Sequence, residues 1–350
     1  ALLAGLFQGL FLWAWGPGWY IFIFLNFALI GYIVYSVLAN IINKADIKSF
    51  SNLIVNDVLV LVSFVFSSVI FSFIIAKKNI FNLVFLGTSS SSIASISQTN
   101  IWPNVLSSVA ELNPASFGTI VNSVGGNIVF LFAFLGVLLF ALDFKMIEKK
   151  NNIVKLGIIG FGVVWFLMII VNSIFVSLTA NNAFVFIGLL FLPIGLALIL
   201  GLFNNNYSNK VFMVLLLSVW MAGTIYMSLN GVRFILLLAP AFAIAFALGL
   251  FYVGKIINDF LSSEFKINDK SKNSMIGFVV VIILFMFLFY PIAQQANAIS
   301  SQTLPNFDDA WYSTMYKIKD NSNSDAIITS WWDFGHFFAT VSGRGVTFDG

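Results

Sequence analysis

Residues 234–254 read FILLLAPAFAIAFALGLFYVG, a stretch without one charged side chain. A helix needs about 20 such residues to cross the hydrocarbon core of a bilayer. The rest of the chain repeats the pattern: 60% of the 350 residues are hydrophobic, 9% are charged and the mean hydropathy is +0.98. Soluble chains carry about 25% charge, so there is too little polar surface here for an aqueous protein. The solvent that this composition requires is lipid.

Working outward from that stretch, apolar spans fall near 1–15, 19–42, 53–76, 126–144, 153–178, 183–203, 211–229, 233–257 and 275–295. This predicts an all-α polytopic membrane domain with about nine transmembrane helices. Gly16-Pro17-Gly18 interrupts an otherwise continuous apolar run, so the first two spans form a hairpin. Orientation follows from lysine and arginine in short loops. Lys44 and Lys48, then Lys145, Lys149, Lys150 and Lys155, then Lys210, then Lys255, Lys266, Lys270 and Lys272 mark four alternate loops as cytoplasmic. The opposite side receives the 77–125 loop, the turns at 180–183 and 230–233, and everything after 296, with Lys77 and Lys78 against the rule.

The 77–125 loop is too long and too polar for a connector, and it carries one acid, Glu111. After 296 the composition turns globular. Asp308 and Asp309 open a helix-like stretch with Trp311, Met315 and Ile318 on one face, and residues 326–329 read as a buried strand. Trp331-Trp332-Asp333-Phe334-Gly335 follows, and His336 to Ser342 suits a helix, which sets Asp333 at the carboxyl end of a strand, where α/β units line ligand crevices. The expected division is a transmembrane domain, 1–298, and the truncated start of a mixed α/β extracytoplasmic domain, 299–350. The first residues open inside an apolar run without Met or a basic leader, and the last stop at what resembles a strand and turn. The expectation is that both ends are cuts.

Scattered basic residues and a net charge of +3 leave no nucleic-acid footprint. Zero Cys excludes disulfides and thiol chemistry, and a single His argues against a histidine-rich metal site. Any metal would sit on oxygen ligands. Each polar candidate has an ordinary reading beside a functional one. Glu111 is a solvated loop acid or a ligand, Arg233 a snorkelling interface residue or an anion clamp, Asp333 a helix cap or a binding group. Two adjacent tryptophans are rare at a cap and build a rigid amphipathic wall. The charge rule places all three candidates on one membrane face without having used any of them. His336 reads as a packed structural residue, Asp308 and Asp309 as helix-start acids, and Asn206-Tyr-Ser208 as an acceptor sequon in a cytoplasmic loop.

Trp331-Trp332-Asp333-Phe334-Gly335 resembles the WWDYG signature of the catalytic subunit of oligosaccharyltransferase, the archaeal AglB and bacterial PglB class, with Phe for Tyr. Ser108-Val-Ala-Glu111 is similar to that family's TIxE or SVSE motif, and Val232-Arg-Phe with Ala239-Pro240 to its arginine segment. The resemblance implies a fold of the GT-C type and an inverting, metal-dependent transferase. It would move an oligosaccharide from a lipid-linked phosphate or diphosphate donor to Asn of Asn-x-Ser/Thr. It implies that Glu111 binds Mg²⁺ or Mn²⁺ and the acceptor amide, that Arg233 neutralises the donor phosphate, and that Trp331, Trp332 and Asp333 grip the sequon hydroxyl. Its partners would be the donor lipid, an acceptor polypeptide and membrane lipid, in the plasma membrane of an archaeon or bacterium with the site outside.

The sequence departs from the pattern in three ways. The acidic pairs that supply the remaining metal ligands belong to earlier external loops, so these 350 residues alone should be inactive. The rest of the soluble domain, with the family's second sequon motif, is also expected elsewhere. Four spans separate Glu111 from Arg233 where the resemblance places two. Two rival readings are weighed. A protein mannosyltransferase of the same fold class would have no reason to keep Trp-Trp-Asp beside a strand. A transporter would line a path with intramembrane charges, and Asp57 and Asp143 lie near span ends.

Overall fold

The computed structural model describes residues 1–43, 47–85, 113–142, 152–171, 182–203, 209–265, 269–302 and 307–348. The chain forms two compact units, Ala1–Leu288 and Phe289–Gly350. In the first, the described residues of each apolar span read from the sequence are mainly helical: α1 (Leu2–Ala14), α2 (Trp19–Ile42), α3 (Ile47–Ile74), α4 (Phe117–Ser123), α5 (Asn127–Leu142), α6 (Asn152–Val171), α7 (Ala183–Leu190), α8 (Leu192–Leu202), α9 (Asn209–Asn230), α10 (Ile235–Glu264) and α11 (Lys270–Gln302), which runs into the second unit. Among the described residues, 5 helices are long and apolar enough to cross a membrane, or 7 if two bent pairs each count as one span. The domain is all-α and polytopic, but the count of about nine is larger than this. Helices α1 and Leu156–Ile170 within α6 are apolar but short.

Both bends have physical causes. Between α4 and α5, bent by 88°, Gly125 and Gly126 take φ of 108° and 86°, a region that other residues rarely enter. Helix α4 lies inside the stretch read as an external loop. Ser116 caps it, its Oγ accepting from the Thr119 N–H at 3.1 Å, and Phe117, Ile120 and Val121 are buried. Between α7 and α8, bent by 58°, Pro193 cannot donate to the carbonyl of Leu189, and the indole of Trp165 donates to that oxygen at 2.8 Å instead. The bend is therefore satisfied by a neighbouring helix.

With lipid outside, helices gain little from hiding apolar surface and associate where small residues let backbones approach. The most extensive packing is α5 on α10. There a Cβ at Gly136 would strike the Ala245 carbonyl and the Gly249 amide, and one at Gly249 would strike the Phe132 carbonyl. Next is α1 on α3: Gly5 faces Ser67, and a Cβ at Gly9 would lie 2.7 Å from the Phe71 carbonyl carbon. Buried Gln8 donates to the Gly18 carbonyl at 3.1 Å and fixes the turn into α2. Lys78, which runs against the charge rule, donates to the Leu12 carbonyl at 3.4 Å. It thus serves the negative end of α1. Helices α10 and α11 are tied by Asn273, whose Oδ1 accepts from Asn258 Nδ2 at 2.8 Å and from the Ser262 hydroxyl.

The second unit contains α12 (Asp309–Asn321), β1 (Ile327–Ile328), α13 (Trp332–Phe337) and β2 (Gly345–Val346). The strands pair in parallel, Ile327 opposite Gly345 and Ile328 opposite Val346, with α13 between them in the chain. Asp308 caps α12 through Trp311 N–H at 2.9 Å, and Met315 is buried on the face read from the sequence. The expected buried strand is corrected: β1 has two residues, and Ile327 is 70% exposed because a single partner strand covers neither side of the ladder. The expected helix from His336 is also corrected. Helix α13 starts at Trp332 and passes at Phe338 into a π-helical turn ending at Ser342, so the tryptophan motif runs from the N-cap, Trp331, through the first helical turn.

Candidate functional site

Glu111 lies outside the described residues, and so does the rest of its motif. The chain is described again from Asn113, and what happens there bears on Arg233. Helix α9 ends at Asn230, and the last carbonyls of any helix lack partners within it. Gly231 folds back, its N–H donating to the carbonyls of Met227 at 2.9 Å and Ser228 at 3.2 Å. The Ala115 N–H also donates to the Ser228 carbonyl at 3.1 Å, and the Val232 N–H donates to the Asn113 carbonyl at 2.9 Å. Residues 113–115 therefore close the end of α9 and hold the start of the next turn. Ala115 and Ser228 are both buried. Phe117 anchors the segment beyond, edge-on to Phe130 at 5.4 Å and Phe186 at 4.9 Å.

Arg233 is the middle residue of that next turn, a 3₁₀ segment Val232–Phe234 that feeds directly into α10. Its side chain is exposed, with the guanidinium 5.7 Å from the centroid of the Phe234 ring. Helix α10 has no side-chain cap at its start. A cation at the positive end of a helix is misplaced by about 0.3–1 kcal/mol. An anion bound there would reverse that sign, drawing on the guanidinium and the helix dipole.

In the second unit Trp331 is the N-cap residue of α13, with ψ of 139°, and is 50% exposed. Its indole Nε1 donates to Asp333 Oδ2 at 3.1 Å. The indole nitrogen expected to meet a hydroxyl is thus engaged with the motif's own carboxylate, which keeps Oδ1 as an acceptor. Asp333 is exposed in the first turn of the helix, where the dipole favours a carboxylate. Phe334 stacks on Trp311 of α12 at 4.9 Å and 14°, and Phe337 stacks on Phe307 at 4.7 Å. The apolar half of the motif therefore packs and the polar half faces outward. Arg344 secures the far side, donating to the Ser322 hydroxyl at 2.9 Å and to the carbonyls of Lys319 and Ser322 at the end of α12. Sequence reasoning did not single out Trp311's stacking role, Arg344, or the 113–115 backbone. Arg344 between two glycines was the one visible hint. Among the described residues no three His, Cys, Asp or Glu gather where a metal could sit.

Helices and motif together define a multi-pass membrane protein with a polar tryptophan-acid motif following helix α11. Comparison adds what the chain is similar to: two proteins named as glycotransferases. Along its full length the chain is 27% identical to the dolichyl-phosphooligosaccharide-protein glycotransferase of Methanocaldococcus jannaschii, covering 37% of that protein. Over 73% of its length it is 25% identical to the protein of the same name from Methanococcus voltae, covering 28% of it. The chain thus spans little more than a third of the longer match. No protein-family profile matches it, and no solved structure does. The resemblance read from the motifs is to the same kind of protein as these curated homologues.

Proposed function

We propose that this chain is part of an oligosaccharyltransferase that moves a glycan from a lipid-linked phosphate or diphosphate donor to Asn of Asn-x-Ser/Thr. The observation that carries the reading is the full-length similarity to a dolichyl-phosphooligosaccharide-protein glycotransferase. The motif geometry supports it. Asp333, oriented by the indole of Trp331 at an exposed helix start, is built to accept a hydrogen bond from a small hydroxyl. Arg233, at the start of a 30-residue helix, is placed to meet an anion such as the donor phosphate.

The chemistry assigns the roles. A carboxamide nitrogen is a poor nucleophile because its lone pair is delocalised. Glu111 accepting from the amide N–H weakens that delocalisation as the nitrogen attacks the anomeric carbon, and the proton that the nitrogen loses passes to this carboxylate. The bond from that carbon to the phosphate oxygen breaks with inversion, and Arg233 stabilises the departing anion. Mg²⁺ or Mn²⁺ is the proposed cofactor, held by Glu111 and by carboxylates beyond these 350 residues; an all-oxygen set suits these ions. The proposed location is the plasma membrane, with Glu111, Arg233 and the second unit outside. The test uses the full-length protein, its lipid-linked donor and a fluorescent Asn-x-Thr peptide. A glycosylated peptide is the expected product, and no product from any lipid-linked donor, with an Asn→Gln peptide as control, would reject the reading.

A further inference from the structure

The pairing of residues 113–115 with the end of α9 is not a loop crossing at a distance. It comprises two backbone hydrogen bonds of opposite sense, Ala115 N–H to Ser228 carbonyl at 3.1 Å and Val232 N–H to Asn113 carbonyl at 2.9 Å. The Val232 amide opens a 3₁₀ turn, so no residue of its own helix can accept from it. Its partner is therefore supplied wholly by the segment that leads back, two residues along the chain, to Glu111. The next residue after Val232 is Arg233, whose exposed side chain has the Phe234 ring beside it. The Val232 N–H lies in the Gly231–Val232 peptide plane, so fixing it fixes the Val232 Cα from which the turn carrying Arg233 starts.

We infer that Asn113 and Ala115 are positioning residues for Arg233: their backbone pins the Val232 turn and so aims the guanidinium, tying that turn to the strand of chain that carries Glu111. The inference rests on the oligosaccharyltransferase reading for what Arg233 binds, but not for the existence of the clamp. The clamp acts through main-chain atoms, so ordinary side-chain changes at 113 and 115 leave its bonds in place. Removing the Val232 amide breaks it. Proline does this with little backbone disturbance, because a first helical position tolerates its fixed φ and its missing N–H.

Two measurements on the full-length protein test the idea. The first needs no variant: hydrogen exchange of the Val232 and Ala115 amides should be slowed well below the rate of an unstructured peptide. Free-peptide exchange at Val232 would overturn the clamp whatever the enzyme does. The second is a cycle of Val232→Pro and Arg233→Ala, reading the KM for the lipid-linked donor and for an Asn-x-Thr peptide. Val232→Pro should raise the donor KM about threefold to tenfold, leave the peptide KM within about twofold, and add nothing in the Arg233→Ala background, because coupled residues are non-additive. Val232→Ala keeps the amide and should stay within about twofold of wild type. Additive effects of the two changes, or an equal loss in Val232→Ala, would overturn the positioning role. If Arg233→Ala leaves the donor KM unchanged while the Val232 amide is protected, the clamp stands and the phosphate role of Arg233 falls.

Discussion

Asp333 and Trp331 work as a pair, and each can be tested alone. If Asp333 accepts from the sequon hydroxyl, a peptide with Val in place of Thr leaves it unpaired, at a cost of about 1–3 kcal/mol. That corresponds to roughly fivefold to 150-fold in affinity. Asp333→Ala should bind Thr peptides poorly and lose the preference for Thr over Val, measured by fluorescence anisotropy; retention of the wild-type ratio would make Asp333 a helix cap. Trp331→Phe keeps the ring and removes the donor that holds Asp333 Oδ2. It should weaken Thr-peptide binding severalfold, as loss of one charge-assisted hydrogen bond does, with a smaller effect on Val peptides. The motif itself was legible because two tryptophans and an acid in series have few ordinary uses. The bond between them was not, since it depends on the extended backbone of Trp331 at the cap. Arg233 was legible as an exposed cation at a membrane edge, but its backbone support from Asn113 links positions far apart in sequence.

At the level of elements, contacts through glycine and indole decide the packing. Gly136→Ala puts a methyl group against the Ala245 carbonyl and the Gly249 amide, so α5 and α10 must separate. The expected cost is about 1–3 kcal/mol. Gly157→Ala in α6, where nothing lies within 4 Å, should leave stability unchanged or slightly raised, and thermal unfolding in detergent distinguishes the two. Trp165→Phe leaves the Leu189 carbonyl, already deprived by Pro193, without its donor. A loss of about 1–3 kcal/mol is expected in the same assay. The apolar segments were readable from composition because lipid demands them. The bends were only half readable. Pro193 announces one, and Gly125-Gly126 stands at the other, but a seven-residue helix capped by Ser116 inside a polar stretch carries too little periodicity to be seen. The short strand β1 was found by its residues and misjudged in burial, since its sequence does not say how many strands will cover it.

For the molecule as a whole, the proposed metal is the part of the functional reading that a whole-protein experiment tests. In the full-length enzyme, chelation should abolish transfer and Mn²⁺ or Mg²⁺ should restore it. Glu111→Gln should then require more metal for half-maximal turnover, with peptide binding less affected than rate. A Gln variant with wild-type metal dependence would reduce Glu111 to a loop acid. One packing arrangement also governs how the membrane unit can be made. Helix α1 lies principally on α3, not on α2, its neighbour in the chain. A ribosome delivers α2 first, so Gly5 and Gly9 must wait uncovered until Ser67 and Phe71 emerge. Between those moments Gln8, bonded to the Gly18 carbonyl, ties α1 to the turn that follows it. In a nascent chain halted after α2, a crosslinker at position 5 or 9 should therefore capture other partners, and in one halted after α3 it should be shielded.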